Sequence, residues 1–192
     1  MIQGASRGLG LEFVRQLLSN SNARVLATCR VPDAAQHLAD LRNQFGPSRL
    51  DVLRLDVRDD ASIDAVGEFV ETNLDGRLDR LVNLTAVLHD DSMRPETRYQ
   101  ALNRAQLMKS MEVNAVGNIL VAARMMQFLV AAGGVREGGP AVLANMSARV
   151  SSIGDNGLGG WYSYRSSKTA LNQLTKTLAV EMARKKHNVR WV

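Results

Sequence analysis

The strongest constraint on how this chain folds is an alternation of two kinds of segment. Short apolar runs suited to strands lie at residues 1–3, 24–28, 52–55, 80–83, 141–145 and 189–192. Between them run longer stretches with helical apolar spacing, such as 9–18, 61–74, 107–129 and 166–183. A chain that crosses back through a helix between consecutive strands builds a parallel sheet, and both faces of such a sheet need covering. With right-handed crossovers the predicted fold class is α/β: a doubly wound parallel sheet with helices on both faces. No Pro/Ser-rich linker or internal repeat divides the 192 residues, so residues 1–192 are predicted to form a single domain. Both ends look shortened. The first strand has three residues before Gly4, where a strand usually has ~5–6, and the last has barely begun at Val192. The sequence reads as a domain truncated at both ends.

Composition removes several function classes. The 24 basic and 19 acidic residues leave a net charge of +5, which suits either a plain solvated surface or a site for a phosphate-bearing anion. Basic residues are scattered and only three Tyr and two Trp are available for stacking, so no nucleic-acid partner is expected. Cys29 is the single cysteine, which rules out an intramolecular disulfide. His37, His89 and His187 lie too far apart for ligand spacing, so no metal is expected. No uninterrupted apolar run of membrane length and no signal peptide is evident, so the expectation is a cytoplasmic protein without a membrane partner. An organelle address upstream of Met1 stays open.

Gly4-Ala5-Ser6-Arg7-Gly8-Leu9-Gly10 stands between the first strand and the first helix. Glycines in such a turn permit positive φ and bring backbone close to a ligand. The helix that follows offers free N–H groups to a phosphate. Gly4, Ser6, Arg7, Gly8, Leu9 and Gly10 are therefore candidate cofactor-binding residues, an ordinary tight turn being the other reading. The same letters contain G-x-S-x-G, the nucleophile elbow of α/β-hydrolases, with Ser6 as nucleophile. That fold takes part of its oxyanion hole from a loop upstream of the elbow, where this sequence has three residues, so the dinucleotide reading is preferred. The end of the second strand, Thr28-Cys29-Arg30, separates cofactors. An acid there bonds the ribose of NAD, whereas an arginine accommodates the 2′-phosphate of NADP. Arg30 with Arg7 predicts NADP(H) over NAD(H), unless both are plain surface residues.

Tyr164-Arg165-Ser166-Ser167-Lys168 sets a phenol and an ammonium one helical turn apart on one face. A nearby cation favours phenolate and is expected to draw Tyr164 below its usual ~10. That makes Tyr164 usable as a general acid for a carbonyl under reduction. Leu171, Leu174 and Leu178 continue an apolar stripe expected to hold the helix to the sheet. Tyr-x-x-x-Lys alone is common and carries no assignment.

In order along the chain stand the glycine turn at 4–10, Asn83 after the fourth strand, Asn114 in the fifth helix, Ser147 after the fifth strand, and Tyr164-x-x-x-Lys168. Together they resemble the short-chain dehydrogenase/reductase family over essentially all 192 residues. Residues 145–149 and 160–165 are most similar to its C-factor-like and sniffer-like carbonyl reductase branch. The resemblance implies a Rossmann-type NADP(H)-binding domain. In it Tyr164 would donate and accept the proton, while Lys168 would hold the nicotinamide ribose and tune Tyr164. Asn114 would interrupt the fifth helix and bind a water relaying protons through Lys168. Asp56, followed by Val57, would meet the adenine amino group, and Asn83 would steady cofactor and sheet. The chain departs from the family where Asn83-Leu84-Thr85-Ala86 replaces Asn-Asn-Ala-Gly and where Gln3 replaces a Thr. Ser147-Ala148 also replaces a Ser-Ser pair, so polarising the substrate carbonyl falls to Ser147, or to Ser151 or Ser152, or is weakened.

The activity implied is reduction of a small-molecule carbonyl, or oxidation of an alcohol, by hydride transfer with NADP(H). A second reading is a non-catalytic dinucleotide-binding or interaction protein on a truncated reductase scaffold. Ala148, the short first strand, and the absence by Val192 of the family's Pro-Gly turn and substrate-covering loop favour it. Relatives often pair through the helices that correspond to residues 105–131 and 164–183, which implies a homodimer or homotetramer. Met108, Met111, Met125 and Met126 would serve that contact or the core.

Overall fold

Strand β2 (Val25–Cys29) is buried along its whole length. Leu26 enters one apolar core while Val25, Ala27 and Cys29 enter the other, the period of two expected of a strand covered on both faces. The computed structural model describes residues 1–133 and 139–192. Around β2 stand β1 (Ile2–Gln3), β3 (Leu50–Arg54), β4 (Arg80–Asn83), β5 (Ala141–Asn145) and β6 (Val189–Trp191). Their order is β3-β2-β1-β4-β5-β6 with every pair parallel.

The chain thus runs outward from β1 to β3, returns to the far side of β1, and runs outward again to β6. Right-handed crossovers in the two directions put helices on opposite faces. On one face α1 (Gly8–Asn20) and α2 (Gln36–Phe45) contribute Val14, Leu18 and Leu38 to a core with Ile2, Ala27 and Leu50. On the other, α3 (Asp60–Asn73) and α5 (Gly117–Gly133) bring Val66, Val70, Met125, Phe128 and Leu129 onto Leu81 and Leu143. Each such large side chain contributes about 1.5–3 kcal/mol on leaving water. α4 (Arg104–Met111) precedes α5, and α6 (Tyr162–Arg184) packs chiefly on α4 and the turn after it. Helix starts follow local chemistry: Asp59 accepts the Ser62 N–H before α3, and Asn103 accepts the Gln106 N–H at 2.9 Å before α4.

Three details differ from the expectations above, and one bears them out. α2 carries almost no apolar signal, since Leu38 is its one fully buried residue. The helical stretch over 107–129 is interrupted by a wider π-helical turn at Glu112–Val116, as expected at Asn114. A Cβ on Gly117, just after that turn, would fall 2.5 Å from the Val57 carbonyl oxygen, so the helix closes on the β3 loop only without a side chain there. Leu171 is buried and Leu178 half-buried against the core, but Leu174 is exposed, so the apolar stripe of α6 is narrower than predicted. Finally, Arg104–Gly133 does hold an 18-residue window apolar enough to cross a membrane, at mean hydropathy 1.6. Just over half of that window is buried here, and α5's apolar side chains form core over β4 and β5.

Candidate active site

The loops leaving β1, β4 and β5 all open at the carboxyl edge of the sheet. The strand order reverses between β1 and β4, which leaves a crevice there. The glycine turn forms its first wall. Gly4 and Ala5 N–H both donate to the Thr28 carbonyl, at 3.0 and 2.9 Å. Gly4 has φ +83° and a Cβ on it would lie 2.8 Å from Thr85 Oγ1. One on Gly10 would lie 2.2 Å from the Gly4 carbonyl oxygen. Glycine is required at both by close approach. Gly8, at φ +56°, faces open space. α1 starts at Gly8 with neither a side-chain cap nor an acid in its first turn, so its leading N–H groups suit an anionic group. Around this opening Ser6 is half-buried while Arg7 and Leu9 are exposed. A phosphate-bearing cofactor fits these residues.

Arg30 is exposed just beyond β2. Asp56, expected at the adenine, is held by Arg58: Nη2 to Oδ2 is 2.8 Å, and the Arg58 N–H reaches Oδ1 at 3.0 Å. That pairing, with burial opposing it and Arg30 adding positive potential, keeps the Asp56 carboxyl below its ordinary range. Arg58 was not singled out from the sequence, where Asp-x-Arg was its one signal. Val57 is buried beneath Gly117. Asn83 is also buried, its Nδ2 donating to Asn145 Oδ1 at 2.8 Å and to the Asn118 carbonyl at 3.3 Å. It ties β4 to β5 and α5. Gln3, the replacement for the family's Thr, accepts the Leu84 and Thr85 N–H groups at 3.1 and 3.0 Å and so fixes the start of the β4 loop.

Asn114 lies fully buried at the π-helical turn. Its Oδ1 accepts the Val87 N–H at 2.7 Å, and Nδ2 donates to the Val87 carbonyl at 2.9 Å and to Ser167 Oγ at 3.0 Å. The side chain therefore staples the β4 loop to α6 beside Lys168. Lys168 is 1% exposed and its Nζ donates to the Met146 carbonyl at 2.6 Å, just past β5. Burial lowers its pKa from 10.5 to about 8. Lys168 thus faces the loop after β5 with the Tyr164 ring 5.9 Å from its Nζ, and on the same edge the β4 loop leaves no room for a Cβ on Gly4 beside Thr85.

One expectation about this cluster needs correction. Tyr164 is pushed above, not below, its ordinary pKa by burial. The Lys168 ammonium sits 5.9 Å from the ring centroid and is drawn to Met146, so desolvation of the phenolate prevails over cation attraction. Ser147, assigned to the substrate carbonyl, donates its hydroxyl to Asn172 Oδ1 at 2.6 Å and stands 3.2 Å from Ser151 Oγ. Ser151 Oγ donates in turn to the Ala148 carbonyl at 2.6 Å and accepts Asn172 Nδ2 at 2.8 Å. Ser152 is exposed and its Oγ accepts the Asp155 N–H. Asn172 was missed by sequence reasoning; it lies one helical turn beyond Lys168, on the Tyr164 face.

The family model described as short chain dehydrogenase matches residues 1–192. The carbonyl reductase Sniffer of D. melanogaster has a similar structure, with TM-score 0.83 at 30% identity over 97% of this chain and 75% of that one. The NADPH-bound carbonyl reductase from chicken fatty liver superposes with TM-score 0.85 at 29% identity, over 98% of this chain and 71% of that one. The 3alpha-hydroxysteroid dehydrogenase of Mediterraneibacter gnavus is 28% identical over 183 residues, 95% of this chain and 66% of that protein. The chain spans less than two thirds of the length of the curated relatives it matches, from 28% to 66%.

Proposed function

Because the chain belongs to the short-chain dehydrogenase family of oxidoreductases, we propose that it reduces a small-molecule carbonyl, or oxidises the matching alcohol, with NADP(H). The single observation behind this reading is the pairing of Tyr164 with Lys168 on the face of α6 nearest the β5 loop, at the sheet edge where the glycine turn opens. The same reading treats residues 1–192 as one dinucleotide-binding domain.

When bound, the dinucleotide supplies or takes up the hydride. Gly4, Ser6, Gly8, Leu9 and Gly10 hold its phosphates at the start of α1. Arg7 and Arg30 meet the 2′-phosphate, and the likeness to an NADPH-bound reductase supports that choice. Asp56 and Val57 border the adenine, and Asn83 steadies the sheet beneath. Lys168 holds the nicotinamide ribose, while Asn114 fixes the loop and the helix around it. Burial keeps Tyr164 protonated at neutral pH, so its phenol has a proton to give to the carbonyl oxygen. Ser147 is the remaining hydroxyl for that oxygen, on release from Asn172.

A second reading keeps cofactor binding without turnover. It is favoured by one observation, the donation of the Ser147 hydroxyl to Asn172 beside Ala148, which has none to offer. Calorimetric titration with NADPH and NADH, followed by NADPH absorbance in the presence of a carbonyl panel, separates the two. Turnover that falls by ~10²–10⁴-fold in Tyr164→Phe with NADPH affinity retained is the expected result. NADPH binding without turnover supports the second reading, and tighter binding of NADH overturns the cofactor assignment.

A further inference from the structure

We propose that Glu96 is a positioning residue for Tyr164, supplying from a distant loop the helix cap that Trp161 cannot provide; this rests on Tyr164 being the proton-exchanging group. α6 begins at Tyr162 and carries Tyr164 in its first turn, where backbone N–H groups find no acceptor inside the helix. A Ser, Thr, Asp or Asn just before the helix ordinarily accepts one of them. Trp161 stands there instead, and an indole N–H only donates.

Glu96, 67 residues before Ser163 and 2% exposed, fills the gap. Its carboxyl accepts the Ser163 N–H at 3.3 Å and the Ser163 hydroxyl, while its backbone carbonyl accepts the Trp161 N–H at 2.5 Å. Among the described residues no Lys, Arg or His forms an ion pair with it. A buried carboxyl is unfavourable unless hydrogen-bonded, so these contacts are what retain it.

The backbone it holds is unusual. Gly159 and Gly160 have φ +66° and Trp161 follows at φ +53°, ψ +41°, a region that L side chains occupy when their surroundings enforce it. The chain also passes close to Glu96, since a Cβ on Gly160 would lie 3.2 Å from its carbonyl oxygen. Moving the cap to Glu96 frees the position before α6 for an aromatic ring. Trp161 meets Tyr164 edge-on with ring centroids 6.3 Å apart, and Lys168 Nζ lies 5.9 Å from the same phenol ring. Glu96 therefore sets the strained turn that braces Tyr164.

The full chain labelled with 5-fluorotryptophan provides a test that needs no substrate. Its two tryptophans, Trp161 and Trp191, are assigned with Trp191→Phe. Glu96→Ala should shift and broaden the Trp161 fluorine resonance and leave Trp191 in place, whereas Glu96→Gln, which keeps an acceptor, should match the parent. In turnover, Glu96→Ala should lower kcat by about 10- to 100-fold, the loss expected of ångström-scale misplacement. Its KM for NADPH should stay within about twofold, and Glu96→Gln should restore kcat. If Glu96→Ala does not fold, Ser163→Ala removes the hydroxyl partner and carries the same expectation for Trp161. An unmoved Trp161 resonance, equal shifts at both tryptophans, or a shifted Trp161 with full kcat overturns the proposal. A parent chain without turnover sinks the reductase reading alone, and the fluorine spectra then decide the clamp.

Discussion

Lys168→Met should change how stability depends on pH, and the size of the change follows from the burial of one ammonium. Lys168 is 1% exposed and burial takes its pKa from 10.5 to about 8. Below pH 8 folded and unfolded chains both carry the charge, and the folded state bears the full cost of burying it. At about 1.4 kcal/mol for each pH unit between the two values, that cost is about 3–4 kcal/mol. Above pH 8 the folded chain releases the proton while the unfolded chain keeps it until about 10.5. The unfolded state then binds more protons, so stability rises with pH. Between pH 7 and 9.5 the parent should gain about 2 kcal/mol relative to Lys168→Met. The variant also leaves the Met146 carbonyl without its 2.6 Å donor, but that penalty does not depend on pH and cancels in the comparison. Stopping at 9.5 avoids Tyr164, whose raised pKa acts in the opposite sense above about 10. Urea midpoints with m-values at pH 7, 8, 9 and 9.5, read by circular dichroism, measure the difference. Parallel curves for the two chains would refute the account of a buried, charge-strained lysine.

Two other substitutions probe the cofactor side. Gly10→Ala adds about 1 kcal/mol of helix propensity. It also drives a Cβ to 2.2 Å from the Gly4 carbonyl oxygen, so overpacking of about 1–3 kcal/mol or more should prevail. Urea unfolding should show a net loss, and a stability equal to the parent's would mean the turn and α1 separate easily. Arg30→Ala should weaken NADPH by about 10- to 100-fold, the worth of a charge-assisted contact of ~1.5–3 kcal/mol, and leave NADH unchanged. Calorimetric titration reads both, and equal losses would assign Arg30 a structural role.

Parts of the site were legible because they are local. Glycine at positions 4, 8 and 10 announces positive φ or close approach from the letters themselves, and four-residue spacing alone puts Tyr164 and Lys168 on one face. Other parts had no local signal. Asn172 takes the Ser147 hydroxyl and Glu96 caps α6, each through a side chain whose partner is chosen by packing, whereas Arg58 had only its two-residue spacing from Asp56 to announce it. α2 escaped notice for a related reason: a surface helix that buries little apolar area needs little apolar patterning.

By itself the sequence determined the alternation of strand and helix, hence the parallel sheet, its two covered faces and the edge to which its loops lead. Those properties depend on hydrophobic period and backbone conformation, which neighbouring residues settle among themselves. Only the tertiary structure decided which way Tyr164 and Lys168 are shifted and where each hydroxyl points. Both depend on how much water is excluded and which dipoles come within reach, and residues as far apart as 96 and 163 settle that only after the chain has closed.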